Sequence, residues 1–396
     1  NGLPAAPERR LSFSQHTEGR IMSNTYRVGI IGFAHMHINR VAALFGDHPQ
    51  LEWGGCADTV PLVPELSEAR FTRAWNKQHA LTELGVPKAY DTYAELLAEG
   101  NLDIAIICSE NVCHPEIVEA CAAAGVHVCV EKPMAMSLAH GLRMARACEA
   151  AGTTMAVNWP IAWSAPMRQM KCLIDDGLIG RVLQVKYRSG HTGPLGQGAA
   201  HSGVAASDDN LSGPERAASW WHQTAAGGGA MIDFCCYGAM LARWFVGEQA
   251  QGAMAMKANL ASHWGEADDN ATMMVRFPGA IGLFEGSWTT LHHGVPTGPV
   301  VYGTTGTLVM DSRDGKQVIR LERGGGQTEL LTGEDLPKDR ADIASEYVHH
   351  LDTGDALPPL LSTALNLEAL AILDAGVKSA ESGQLQMVGS NVWTTG

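Results

Sequence analysis

The chain has 396 residues, 45% hydrophobic and 18% charged, with a net charge of −14. That is globular composition, long enough for two domains, and its acidity argues against nucleic acid or an anionic membrane surface as partner. It leaves room for an anionic cofactor, because a helix N-terminus binds phosphate locally. Nine cysteines are scattered without a C-x-x-C pair. Cys108, Cys121 and Cys129 sit in apolar runs, which reads as reduced thiol in a cytoplasmic protein.

Residues 1–25 form a polar leader or arm without the apolar stretch of a signal peptide, and Met22 is a candidate natural start. No run is expected to reach the length of a membrane helix. Tyr26 to Gly32 reads as a short buried strand, and 36–45 shows helical spacing at Ile38, Val41, Ala42 and Phe45. Strand 51–57 closes on Asp58, a short helix covers 93–98, and 102–108 is strand again. Pro115 opens the next helix, where proline suits the first position. Strand 125–130, a helix over 137–151 capped by Ser137, and strand 154–158 follow. This alternation predicts parallel βαβ units and a doubly wound sheet over 26–155.

Beyond residue 160 the pattern changes. Residues 182–188 alternate like a half-exposed strand, and a Gly-, Ser- and His-rich stretch from Ser189 to Gly213 is long for a loop. Gly227 to Gly229 precedes a helix over 231–246, with Gly247 suited to its C-terminal cap. Strand-like segments recur at 271–277, 280–288, 299–303, 306–310, 317–322 and 327–331, and an amphipathic helix spans 363–382. The expectation for 156–396 is an α+β domain built on a large, mainly antiparallel sheet.

The turn Gly32, Phe33, Ala34, His35, Met36, His37 stands where a G-x-G-x-x-G fingerprint would. Gly32 allows the tight turn, whereas Ala34 and His37 replace the later glycines. Asp58 ends the next strand, near the ~20-residue spacing expected of a ribose-binding acid, and favours NAD over NADP. Ser109, Asn111 and His114 follow the strand at Cys108, and Glu131, Lys132 and Asn158 end the next two strands, all at the expected cofactor edge. His114 is alternatively a helix cap. Lys132 in Glu131-Lys132-Pro133 would be a partly desolvated ammonium beside a cofactor.

With these pieces in place the chain resembles the glucose–fructose oxidoreductase / inositol dehydrogenase family over roughly 26–385. The resemblance rests on 28–32, 103–111 with His114, 125–133, 173–180, 227–233 and 379–383. It implies a Rossmann domain, a second domain whose open sheet serves oligomerisation as a homodimer or homotetramer, and a lysine like Lys132 beside nicotinamide and substrate. It also implies a second catalytic element at Asp233 and, four residues on, Tyr237, where the family usually has histidine. The i, i+4 spacing puts both on one helix face. A phenol needs a neighbouring cation to act as a base near neutrality, and Lys132 is the candidate. The reverse assignment, Lys132 as acid–base and Tyr237 as positioner, is open at this point. An arginine common in the family is replaced by Ala162.

Trp159, His191, Trp220, Trp221 and His222 are candidate substrate contacts, since aromatic faces stack on sugar C–H surfaces; aromatic core is the competing reading for the tryptophans. Cys235-Cys236, His292-His293 and His349-His350 suggest metal only superficially, because adjacent residues on regular elements diverge, and no metal is expected. The expected function is NAD-dependent oxidation or reduction of a sugar, glycoside or cyclitol. Two alternatives remain: a glycoside-processing enzyme that oxidises C3 transiently with recycled NAD, and a non-enzymatic cofactor-sensing regulator.

Overall fold

The computed structural model describes residues 24–195, 197–201, 203–290 and 297–389. The expected leader, but for its last two residues, and the His292-His293 pair lie outside the described residues. The first unit runs β1 (Tyr26–Ile31), α1 (Ile38–Gly46), β2 (Leu51–Ala57), α2 (Arg73–Thr82), α3 (Tyr93–Glu99), β3 (Ile104–Ile107), α4 (His114–Ala123), β4 (His127–Glu131), α5 (Leu138–Ala151) and β5 (Met155–Asn158). Its five strands are all parallel, in the order β2-β1-β3-β4-β5. Strands covered on both faces must be apolar throughout, and Ile104–Ile107 is buried at every position. The strand order reverses between β1 and β3, so the crevice at their carboxyl ends is where ligands bind in such sheets. Ser137 caps α5 as expected, accepting from the His140 amide at 3.3 Å.

The second unit adds α6 (Ala165–Asp175), β6 (Val182–Gly190), α7 (Gly213–Ala218), α8 (Cys236–Val246), β7 (Gly252–Ala258), β8 (Asn270–Arg276), β9 (Ile281–Ser287), β10 (Val300–Gly303), β11 (Thr307–Arg313), β12 (Lys316–Arg323), β13 (Gln327–Leu331), α9 (Ile343–Thr353), α10 (Thr363–Ser382) and β14 (Gln386–Met387). The nine-stranded sheet runs β13-β12-β11-β10-β6-β9-β8-β7-β14, antiparallel except where β6 lies parallel to β9. α8 and α10 cover one face. On the other, Met256, Met274 and Ile281 are half or more exposed, at 73%, 51% and 50%.

Two expectations are corrected here. β5 is the edge strand of the first sheet, so that sheet reaches Asn158 and not 155. The apolar stretch Thr224–Val246 is long enough to cross a bilayer, but 89% of its most apolar window is buried inside the protein, where it serves as a core helix. The units are fastened by the C-terminal helices: the Tyr347 hydroxyl reaches Val128 O (2.9 Å), and Trp159 Nε1 donates to Asn366 Oδ1 (2.6 Å). A separate apolar cluster around Ala34, Met36, Phe71, Trp220, Trp221 and Trp288 packs the glycine turn directly against the second unit.

Candidate active site

Lys132 leaves the carboxyl end of β4 and meets residues presented by a π-helical turn, Met231–Cys235, that leads into α8. Such turns often mark functional sites. This one is anchored by Asp268, whose Oδ2 accepts from the Met231 amide at 2.8 Å and whose carbonyl accepts from Ala230. The approach demands glycine at 229, where φ is +119° and a Cβ would come within 2.7 Å of Asp268. Asp233 Oδ1 then accepts from Lys132 Nζ at 2.9 Å, and Trp288 Nε1 donates to its Oδ2 at 3.1 Å. Lys132 Nζ also lies over the Tyr237 ring, 4.9 Å from its centroid.

Burial alone would neutralise these groups. For Lys132 it acts downward, but Asp233, helped by Tyr237, holds the ammonium well above the ordinary lysine range. For Asp233 burial acts upward, and Lys132, His191 and the Trp288 hydrogen bond outweigh it, leaving the carboxyl below its usual value. The pair is therefore ionic at neutral pH. Burial drives the Tyr237 phenol well above its usual value, and the downward pull of Lys132 does not overcome that. Tyr237 thus remains a neutral phenol, against the expectation that Lys132 would make it a base.

These groups line a cavity of about 510 Å³ shared with His35, His37 and His191, within the roughly 300–1,000 Å³ typical of small-molecule sites. Glu131 is buried behind the His37 ring: Oε1 pairs with His37 Nδ1 at 2.7 Å and Oε2 accepts from Asn158 Nδ2 at 2.8 Å. Burial raises the Glu131 pKa, yet His37, Lys132 and Asn158 bring it below the usual range. Burial keeps the His191 imidazole below its ordinary value, hence neutral.

The adenosine end differs. Gly32 is required, since at φ +87° a Cβ would meet the Ser109 backbone at 2.6 Å. The neighbouring amides are already engaged: Phe33 N by Asp58 Oδ1 (3.1 Å), His35 N by Cys108 O (3.0 Å) and His37 N by His35 Nδ1 (3.1 Å). Trp220 Nε1 donates to Ala34 O at 2.7 Å. The Asp58 carboxylate is paired with Arg73 at 2.5 Å, and Arg73 also pairs with Glu110. Burial holds the Asp58 carboxyl above its usual value even with Arg73 beside it. The cavity end suits a nicotinamide ring, which Lys132 in its lining, with Glu131 and Asn158 behind it, would border. At the pyrophosphate and ribose end these contacts already use part of the hydrogen-bonding capacity of Asp58 and the glycine turn.

The structure accordingly gathers His35, Met36, Lys132, His191, Trp221, Asp233 and Tyr237 at the cavity, with Glu131 and Asn158 behind it. Trp159 supports it edge-on, 5.1 Å from the Tyr237 ring. Other candidates lie elsewhere. Phe33 is core, and Asn111 Nδ2 donates to Gly227 O, joining the units. His114 is wholly buried, its Nδ1 3.2 Å from Met134 O, and it caps nothing. Ser109 is buried behind the turn. His222 packs between Trp264 and Trp288, away from the cavity, because its backbone supports Gly265 and Ala267. Sequence reasoning does not single out Trp288, Asp268 and Arg73; it names Glu131 at the cofactor edge and His37 inside the glycine turn, but not their pairing.

Comparison with known proteins agrees with the fold. Residues 26–159 match the oxidoreductase family with an NAD-binding Rossmann fold, and residues 167–309 match the GFO/IDH/MocA C-terminal domain. The myo-inositol 2-dehydrogenase of Thermotoga maritima is 25% identical over 76% of this chain and 84% of its own. The 1,5-anhydro-D-fructose reductase of Ensifer adhaerens is 28% identical over 76% and 85%. In fold, the chain superposes on the aldose-aldose oxidoreductase of Caulobacter crescentus with a TM-score of 0.69 at 20% identity, covering 92% of this chain and 100% of that one. The WlbA dehydrogenase of Bordetella pertussis, solved with NADH and UDP-GlcNAcA, gives 0.70 at 21%, covering 93% and 99%. The chain belongs to the GFO/IDH/MocA family of oxidoreductases, with an NAD-binding Rossmann domain followed by that family's C-terminal domain.

Proposed function

We propose that this oxidoreductase interconverts a secondary alcohol and a ketone on a sugar, glycoside or cyclitol. The observation that carries the reading is the buried Lys132–Asp233 ion pair, 2.9 Å, opening into the cavity beside Tyr237. The nicotinamide cofactor, when bound, would supply the hydride as NADH or accept it as NAD+. The Lys132 ammonium donates to the substrate oxygen, giving up a proton as a ketone is reduced and recovering it in the reverse direction. Asp233 keeps that nitrogen charged and oriented. Tyr237, a neutral phenol, positions a neighbouring hydroxyl, so the assignment with Lys132 as acid–base is preferred. The tryptophan wall at Trp221 suits the C–H faces of a sugar ring. A myo-inositol dehydrogenase and an anhydrofructose reductase among the relatives support a polyhydroxylated substrate.

The test is a panel of sugars, glycosides and inositols with NAD, and of the matching ketones with NADH, followed by reduced-nicotinamide absorbance. Substrate-dependent change supports the proposal; none across both directions removes it. One observation favours the second, recycling mode. The segments flanking α7 are tied to the first unit, Asp209 Oδ2 accepting from Arg70 N at 2.8 Å before α2, and Trp220 Nε1 donating to Ala34 O in the glycine turn. A dinucleotide held beneath such a cover exchanges slowly, and cleaved glycoside without net NADH would identify that mode. The regulator reading has less support, since sensing needs no acid–base pair.

The open apolar sheet face supports a homodimer or homotetramer, which light scattering would reveal. All nine cysteines are free, which suits a reducing, cytoplasmic setting.

A further inference from the structure

We infer that His35, His37 and Glu131 form a site for a first-row transition-metal dication in the wall of the catalytic cavity. A nitrogen of each ring and a carboxylate oxygen lie within 4.8 Å of one another, and the two rings are 4.2 Å apart. Two imidazoles and one carboxylate are a common donor set for zinc, iron and related ions, and three protein donors leave positions open. Glu131 is oriented for the task, because its second oxygen is held by Asn158 at 2.8 Å. The His35 ring is only 3% exposed, and its Nε2 has no hydrogen-bond partner among the described residues. A buried imidazole nitrogen of that kind calls for a partner, and a cation supplies one once the ring proton has moved to Nδ1.

Charge permits the cation. Lys132 is the nearby positive group, and Asp233 already neutralises it, so the Glu131 carboxylate remains to balance the metal. The metal would take the place of the proton shared between His37 Nδ1 and Glu131 Oε1, 2.7 Å apart. While His35 Nδ1 accepts from the His37 amide (3.1 Å) the neutral ring carries its proton on Nε2, so a metal at Nε2 requires that proton to move to Nδ1, and this hydrogen bond is lost in exchange for a metal–imidazole bond. His201 borders the group, its ring 4.5 Å from that of His37. The open positions face the cavity that also holds Lys132 and Asp233. They suit paired oxygen donors such as a vicinal diol or an α-hydroxyketone, which the metal would polarise. The choice of oxygen ligand rests on the proposed substrate class; binding of the metal alone does not.

The experiment uses full-length protein without a polyhistidine tag, stripped by chelator and titrated with Co(II) alone. The expected result is one equivalent bound per chain, a visible ligand-field band, displacement by Zn(II), and hyperfine-shifted imidazole protons from two histidines. His35→Gln and His37→Gln should each weaken binding by at least ~100-fold, beyond what an outer-shell change usually causes. His349→Gln, whose ring pairs with Asp355 outside the cavity, should bind like the wild type. Wild-type protein without a saturable one-equivalent site, or without shifted signals from two histidines, overturns the proposal even if a variant fails to fold. Undiminished binding in folded His35→Gln and His37→Gln overturns it as well. Failure of the nicotinamide assay would leave these readouts untouched, so the two ideas fall separately.

Discussion

The two ends of one crevice are built in opposite ways. At the carbinol end, Lys132, Asp233 and Tyr237 surround an open cavity, and the buried charges are matched to each other with room for a substrate. At the ribose end, Asp58 and the backbone of the glycine turn are matched to other parts of the chain, Asp58 through Arg73, the His35 amide through Cys108 and the Ala34 carbonyl through Trp220. A buried polar group needs a partner in every state it occupies. One end keeps its reactive groups exposed to a ligand; the other holds its own surrogate contacts, which a dinucleotide would have to displace.

The sharpest way to break this comparison is at the carbinol end. Lys132→Ala should lower turnover about 10²–10⁴-fold, the usual worth of positioned acid–base assistance, with NAD affinity nearly unchanged. Turnover equal to the wild type would show that the cavity is not the reaction centre. Asp233→Asn refines the test through pH. The raised Lys132 pKa makes its stabilising charge complete below the ordinary lysine value and lost only as pH climbs through the raised one. The depressed Asp233 pKa makes its contribution complete above the ordinary aspartate value and lost only as pH falls through the lower one. Between about pH 4 and 10 the pair stays charged, so ketone reduction by the wild type should show no limb from it. In Asp233→Asn, burial acts on Lys132 without its main counterweight, and a basic limb should enter the accessible range. Overlapping profiles would exclude Lys132 as the proton donor.

At the ribose end, Arg73→Gln leaves Asp58 and Glu110 facing each other without their cation. Their side chains are only 15% and 2% exposed, so the expected loss is about 3–5 kcal/mol of stability, readable by urea unfolding. If NAD ribose can replace Arg73 as the partner of Asp58, saturating NAD should recover more stability in the variant than in the wild type. Equal recovery would mean that Asp58 takes no part in binding the cofactor.

This asymmetry also sets what was legible in the sequence. β1, β3 and β4 announce themselves as apolar runs, and α5, α8 and α10 carry caps and periodicity, so the fold and the place of Lys132 at a strand end could be read locally, whereas Asp233 and Tyr237 come from the family resemblance. α2 could not. Its buried residues are Arg73, Asn76 and Ala80, a mostly polar inward face that leaves no apolar stripe. Missing α2 meant missing Arg73, and with it the partner that occupies Asp58. β7 is made of Gly, Ala and Met with one Lys, residues with little strand preference, and only its place in the sheet makes it a strand. α9 escaped because its buried face includes Ser345 and Glu346. Trp288, just after β9, and Asp268, just before β8, act on Asp233 and its turn from positions distant in sequence, and His37 meets Glu131 across 94 residues. Contacts of that kind leave no pattern in a single chain.

The smallest effect concerns the cover that joins the two ends. Trp220→Phe keeps an aromatic ring in the apolar cluster but removes the 2.7 Å hydrogen bond to Ala34 O. One such bond is worth about 1 kcal/mol, so NADH release followed by stopped-flow fluorescence should accelerate roughly fivefold. The chemical step, read in a single turnover, should not change, because Trp220 touches none of Lys132, Asp233 and Tyr237 through a hydrogen bond or ring contact among the described residues. Faster release with unchanged chemistry would make the glycine turn a gate on cofactor exchange. Unchanged release would place the gate elsewhere, with the Arg70–Asp209 contact as the next element to open.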